Sequence, residues 1–137
     1  MPVVFLQHSD AIEECYEFML AYAAQGVPSD AGDARGAKIR AVLTRAAAAI
    51  AALAREYVEF VREQKLEPAE RYLSMVNVLE RDAQNSVATI DLVLAQPSIS
   101  SQLVDNLNAS IHLRALLTTS FLIGEVFRAQ LASSGNH

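Results

Sequence analysis

Apolar residues recur at alternating spacings of four and three within the stretch 34–65. These positions are Ile39, Leu43, Ala46, Ile50, Leu53, Tyr57 and Phe60. On an α-helix this spacing forms one apolar seam, which is typical of helices that pack nearly parallel to their neighbours. The stretch is therefore constrained to be a long helix that buries its seam against other helices.

The same pattern continues in a second stretch, at Tyr72, Val76, Leu79, Ala83, Ser86, Ile90 and Val93. Helix-ending and helix-starting residues divide the rest of the chain, with Gly26, Pro28, Pro68 and Pro97 between the apolar stretches and Ser9 before the first. We predict helices over about 9–25, 34–65, 68–95 and 99–131. Short connections make consecutive helices antiparallel, so the predicted fold is an all-α, up-down four-helix bundle. A three-helix bundle with a short docked first helix is the alternative.

The length of 137 residues and an apolar content of 52% suit one domain with a real core, covering 1–137. Two terminal segments fall outside the predicted helices. Residues 2–8, which begin with the apolar run PVVFL, are predicted to form an extended arm. Residues 132–137 are predicted to be frayed.

Charge and cysteine content favour a cytoplasmic protein that does not bind nucleic acid. The net charge is −5, from 11 basic and 16 acidic residues, whereas nucleic-acid binders usually carry a basic face. The single Cys15 cannot form an internal disulfide, which suits a reducing compartment. The N-terminal sequence lacks the basic region of a signal peptide, and no long charge-free stretch predicts membrane insertion.

The last predicted helix carries charged residues inside its apolar sector. On a helical wheel this sector contains Leu103, Leu107, Ile111, Leu117, Phe121 and Leu122. Arg114 and Glu125 fall within it. Arg114 has no acidic residue three or four positions away, so its partner must lie on another helix or on another chain.

Two arrangements would give Arg114 a partner. Within one chain, the candidates at the rim of the bundle are Glu80, Asp82 and Asp91. Between two chains, an antiparallel crossing of this helix about a dyad near Thr118–Phe121 would place Arg114 of each copy opposite Glu125 of the other. The predicted homodimer interface consists of Arg114, Leu117, Thr118, Phe121, Leu122 and Glu125.

The opposite, polar side of the same helix is a candidate recognition face formed by Asp105, Asn108, His112 and Thr119. The segment His112-Leu113-Arg114-Ala115 resembles the His-x-Leu-Lys-Gly pattern of histidine phosphotransfer domains and the His-Glu-Leu-Arg stretch of sensor-kinase dimerisation helices. Both matches are one residue out of register, which rotates the basic residue by about 100° on a helix. The resemblance implies a phosphotransfer or signalling module that uses His112.

The sequence contains no Glu-x-x-His pair, no Cys-x-x-Cys-His motif, no Gly-rich phosphate loop and no nucleophile elbow. We therefore predict no catalytic residue, no cofactor and no metal. The predicted function is that of a non-enzymatic, self-associating adaptor, assembly or regulatory factor that acts through protein–protein interaction. The alternatives are phosphotransfer through His112 and binding of a small molecule or cofactor where the Ala-rich middle of the second helix leaves room.

Overall fold

The computed structural model describes the backbone of residues 4–32 and 34–135, and the side chains of residues 7–32, 34 and 36–133. Within these ranges the chain forms five helices and no strand. They are α1 (Val4–Ala24), α2 (Ala34–Glu63), α3 (Ala69–Leu94), α4 (Ser101–Ala109) and α5 (Ile111–Gly135). The prediction of an all-α protein is confirmed, but the fourth predicted helix is divided into two, so the number of helices is five.

Consecutive helices among the first three run antiparallel, as their contacts show. His8, near the start of α1, bonds Glu56 near the end of α2 at 2.5 Å. Arg40, near the start of α2, donates to the carbonyl of Leu94 at the end of α3 at 3.0 Å. Helices α4 and α5 complete the packing, α4 mainly against α1 and α5 mainly against α3.

The predicted apolar seams form the core. Every seam position of α2 is buried, and so is every seam position of α3 except the half-buried Tyr72. At one end of the core, Phe127 of α5 stacks on Phe60 at a centroid distance of 4.6 Å and meets Tyr57 edge-on at 5.0 Å. Tyr72 adds a fourth ring, with its centroid 6.2 Å from that of Phe127, so this aromatic cluster joins α2, α3 and α5.

Two glycines and the hydrogen bonds of Asp30 hold the connection between α1 and α2 in place. Gly26 takes the left-handed conformation (φ +66°) that ends α1, as predicted. Further on, Gly36 lies against the backbone of Asp30, where an added Cβ would meet the Asp30 carbonyl oxygen at 2.0 Å. The Asp30 carboxylate accepts from Arg40 at 2.6 Å and from the Ile99 amide at 2.6 Å, which ties the connection to the segment before α4.

Three predicted boundaries are wrong. The segment 4–8 was predicted as part of an extended arm, but it is helical and forms the start of α1. Residues 2 and 3 of the predicted arm lie outside the described residues. At the other end, α5 continues to Gly135, through the first part of the segment predicted to be frayed. Residues 136 and 137 lie outside the described residues. Pro68 is the N-cap of α3 and not, as predicted, its first helical residue.

The division between α4 and α5 occurs at Ser110, which has an extended ψ of 131°. Its amide donates to the Leu107 carbonyl at 3.0 Å, and its own carbonyl accepts from the Arg114 amide at 3.1 Å. Ser110 therefore ends one helix and begins the next, a position that serine favours. The division lets α4 pack on α1 and α5 pack on α3, which a single straight helix would not do.

Candidate interaction surface

Because the helix is divided at Ser110, the four residues of the predicted recognition face do not lie on one exposed side. Asp105 and His112 are exposed, as predicted, but they lie on different helices. Asn108 is buried at 6% exposure, where its Nδ2 donates to the Met19 carbonyl at 3.2 Å. Thr119 is half-buried and donates to the Asp82 carboxylate at 2.9 Å. The four residues thus form no continuous face.

The predicted interface residues, in contrast, lie mostly on one exposed side of α5. We call this side the outer face of α5. It comprises Ile111, Arg114, Thr118, Phe121, Leu122, Glu125, Val126 and Ala129, all exposed. They span about 140° of the helix circumference. Only two of the eight are charged, whereas the outward side of a surface helix is ordinarily polar.

Three large side chains give the outer face its apolar character. Ile111 is 76% exposed, Leu122 55% and Phe121 49%. Ile111 is the most exposed large apolar side chain in the described part of the chain. Single exposed apolar residues are normal on protein surfaces, but several on one helix face form a patch of the kind found at interaction sites.

One predicted interface residue is not on this face. Leu117 is 5% exposed and belongs to the core with Leu113, Leu116 and Ile123. Leu117 lies only about 40° from Phe121 on α5, and the boundary between the buried and the exposed side of the helix runs between them. The buried side of α5 is set by its packing against α3, and Leu117 lies on that side.

Arg114 and Glu125 are both exposed on the outer face, and neither forms an ion pair with another described residue. The predicted partners of Arg114 within the chain do not reach it. Asp82 accepts from Thr119, and Glu80 and Asp91 form no ion pair with any described cation. Of the two predicted arrangements for Arg114, the intrachain pair is therefore absent from the described structure.

An apolar groove runs beside the outer face, between the start of α3 and the end of α5. Its volume is about 290 Å³. It is lined by Pro68, Arg71, Tyr72, Met75, Leu122, Ile123, Val126 and Phe127. Arg71 is the one charged residue of this lining, and Leu122 and Val126 belong to both the groove and the outer face. We call it the α3–α5 groove.

A larger groove of about 650 Å³ lies between α2 and α3. Its lining includes Ala51, Ala54, Ala83 and Ala88. There is thus space beside the Ala-rich middle of α2, as predicted, but this space opens at the surface and not inside the core. The rest of its lining includes the charged residues Arg55, Arg62, Glu80 and Asp91. This groove has no enclosed, polar-lined chamber to orient a small ligand.

Two observations on the described residues concern metal binding and the chemistry of the single cysteine. No cluster of three or more His, Cys, Asp or Glu side chains that could hold a metal ion occurs among them. Cys15 is buried, and burial raises the pKa of its thiol, partly opposed by Arg45, which disfavours the reactive thiolate. Across the helices that the structure describes, none combines the length and the apolar character needed to cross a bilayer.

Comparison with protein-family models, with curated proteins and with solved structures finds no match to this chain. Function is therefore inferred from the surface itself. Five of the six predicted interface residues lie on that surface, and Leu117 does not. Ile111 was not predicted as an interface residue, although the helical wheel had placed it in the same sector as Arg114 and Glu125.

Proposed function

We propose that this protein acts without catalysis, as a cytoplasmic adaptor, assembly or regulatory factor that works through protein–protein contacts and self-associates as a homodimer. The single observation that supports this proposal best is the outer face of α5. It exposes Ile111, Phe121 and Leu122 on one helix, next to an apolar groove, in a protein whose other helices bury their apolar seams.

Removal of water from this face favours association. Burying apolar surface contributes roughly 25 cal/mol per Å², so covering several large apolar side chains at once favours association. The side chains of the outer face are anchored on a 25-residue helix that already packs on α3, so little backbone entropy is lost when they are covered. A partner is therefore expected to bind a preformed surface.

Self-association is favoured over a different partner because the charges of the outer face are self-complementary. The face carries one cation, Arg114, and one anion, Glu125, and neither forms an ion pair with another described residue. A further exposed cation, Arg128, lies about 20° beyond Phe121, just outside this face. A second copy supplies the opposite charge for Arg114 and for Glu125, and a two-fold contact satisfies both at once. A partner with a purely apolar surface would leave both charges desolvated without compensation.

The experiment compares native masses by light scattering over about a hundredfold range of protein concentration. The unmodified protein should shift from monomer to dimer with concentration, and Leu122→Glu, which places a charge in the centre of the patch, should remain monomeric. Leu92→Glu is the matched control, because Leu92 is 65% exposed on α3, away from the outer face. An unmodified protein that stays monomeric throughout would refute the proposal.

A further inference from the structure

We infer that a second copy of the chain covers the outer face of α5 and lies antiparallel to the first. The dyad is level with the midpoint of Thr118 and Phe121. Arg114 of each copy is paired to Glu125 of the other, and Ile111 of each copy is inserted into the other's α3–α5 groove. The inference rests on the proposed function and specifies the geometry of the contact. Three independent features of α5 lead to it.

The first feature is the spacing of the two free charges. Arg114 and Glu125 are eleven positions apart, which is about 16.5 Å along the helix and only about 20° around it. They therefore face the same direction. In an antiparallel pair with the dyad halfway between them, each Arg114 lies level with Glu125 of the other copy. A parallel pair would instead place Arg114 opposite Arg114.

The second feature is the centre of the contact. Thr118 and Phe121 flank the dyad at equal distances and are both exposed. The Thr118 hydroxyl donates to the Arg114 carbonyl at 2.9 Å, so its donor is satisfied within the helix and its methyl group is free to pack. Each Thr118 can then meet Phe121 of the other copy without leaving a buried donor unpaired.

The third feature is the match between a projecting side chain and a recess. Ile111 lies about 13 Å from the dyad along the helix, and Val126 lies about 10 Å from it on the opposite side. The two-fold operation therefore brings Ile111 of one copy level with Val126 and Ala129 of the other. The two-fold axis also keeps equivalent lateral sides of the two helices next to each other. Residues on one lateral side of the first copy therefore face the same lateral side of the second.

That lateral side is the one next to α3. Ile111 and Leu122 differ by only about 20° on the wheel, and Leu122 lines the α3–α5 groove with Tyr72 and Met75. Ile111 of the second copy consequently meets the mouth of an apolar groove of about 290 Å³, which is ample for one isoleucine side chain. The symmetry repeats the insertion, so two grooves receive two isoleucines.

The test for the ion pairs is a charge exchange measured by the dimer dissociation constant. Arg114→Glu and Glu125→Arg each create like-charged pairs at two symmetric places, so each should weaken the dimer by about tenfold to a hundredfold. The double variant restores opposite charges and should return to within about threefold of the unmodified protein. Both residues are exposed in the monomer, so thermal unfolding of the diluted variants should remain near that of the unmodified protein.

The test for the insertion uses Ile111→Ser, with Leu92→Ser as the matched control of similar exposure. Ile111→Ser should weaken the dimer by about tenfold or more, and Leu92→Ser should leave it unchanged. The inferred geometry is overturned if the unmodified protein dimerises and Leu122→Glu dissociates it, yet the charge exchange gives no rescue. That outcome leaves the proposed function standing, whereas a protein that never dimerises overturns both.

Discussion

Asn108→Leu should stabilise the protein, although it removes a hydrogen bond. Asn108 is 6% exposed in the contact between α4 and α1. Its Nδ2 donates to the Met19 carbonyl at 3.2 Å, but its Oδ1 is buried with no hydrogen-bond partner. A buried acceptor that loses its water costs about 1–3 kcal/mol.

The contributions to the free energy of unfolding add up in favour of leucine. Its side chain branches at the same carbon as that of asparagine and therefore has a similar shape. The lost hydrogen bond costs about 0.5–1.5 kcal/mol, and the Met19 carbonyl keeps the donor that its own helix supplies. Removal of the unsatisfied Oδ1 and burial of two methyl groups outweigh this loss. The expected net gain is about 1–3 kcal/mol, which corresponds to a rise in Tm of roughly 4–10 °C for a chain of this size.

Urea denaturation followed by far-UV circular dichroism gives the free energy of unfolding directly. The midpoint should rise for Asn108→Leu without a change in slope. Asn106→Leu is the matched control, because Asn106 lies on the same helix and is exposed; its free energy of unfolding should change by less than about 0.5 kcal/mol. A loss of stability greater than about 1 kcal/mol for Asn108→Leu would show that Oδ1 is satisfied in solution and that this reasoning is wrong.

Four further substitutions test the packing and the electrostatics of the fold. Gly36→Ala should lower the free energy of unfolding by about 2 kcal/mol or more, because the added Cβ would overlap the Asp30 carbonyl. Gly124→Ala should raise the free energy of unfolding by about 0.5–1 kcal/mol, because its Cβ would make only ordinary contacts. The urea midpoints of the two variants distinguish these effects. The hydrogen bond from Arg40 holds the pKa of the Asp30 carboxyl below its ordinary value of 3.8, so its stabilisation is fully present above that pH and is lost as the pH falls through the lowered pKa. Asp30→Asn should therefore destabilise the protein at pH 7 and progressively less in acid; an equal difference at every pH would contradict this. Phe127→Ala should cost about 3–5 kcal/mol, because Phe127 is 1% exposed in the aromatic cluster, and a loss below about 1 kcal/mol would show that the cluster is not packed as described.

The seams of α2 and α3 could be predicted from sequence because burial there follows the helical period directly. Each predicted position from Ile39 to Phe60 is buried, and the glycine at 26 ends α1 in the left-handed conformation that only glycine adopts readily. Local chemistry and tertiary packing agree in these segments. Agreement of this kind is what makes a pattern readable in a single sequence.

The division at Ser110 could not be predicted, because no proline or glycine marks it. The segment 101–109 has an ordinary helical composition, and its end is decided by which neighbour each half packs against. Asn108 appeared to be solvated for the same reason. Once the helical phase is broken at Ser110, a wheel drawn through both halves no longer relates the faces of α4 to those of α5.

The candidate surface was predictable in part. Arg114 and Glu125 stand out in the sequence because charges inside an apolar stripe require partners, and the structure places both on the outer face of α5 without an ion pair among the described residues. The α3–α5 groove could not be found from sequence, because it is formed by residues about fifty positions apart, such as Tyr72 and Val126.

Backbone amide NMR shifts recorded on dilution test self-association through the outer face most directly, since they require no substitution. Between the dilute and the concentrated sample, the largest shifts should fall on residues 111–129 of α5 and on the walls of the α3–α5 groove near Met75. Amides of α2, such as those of the α2–α3 groove around Ala51, should not move. Concentration-dependent shifts centred on α2, or spectra that do not change with concentration, would contradict the account.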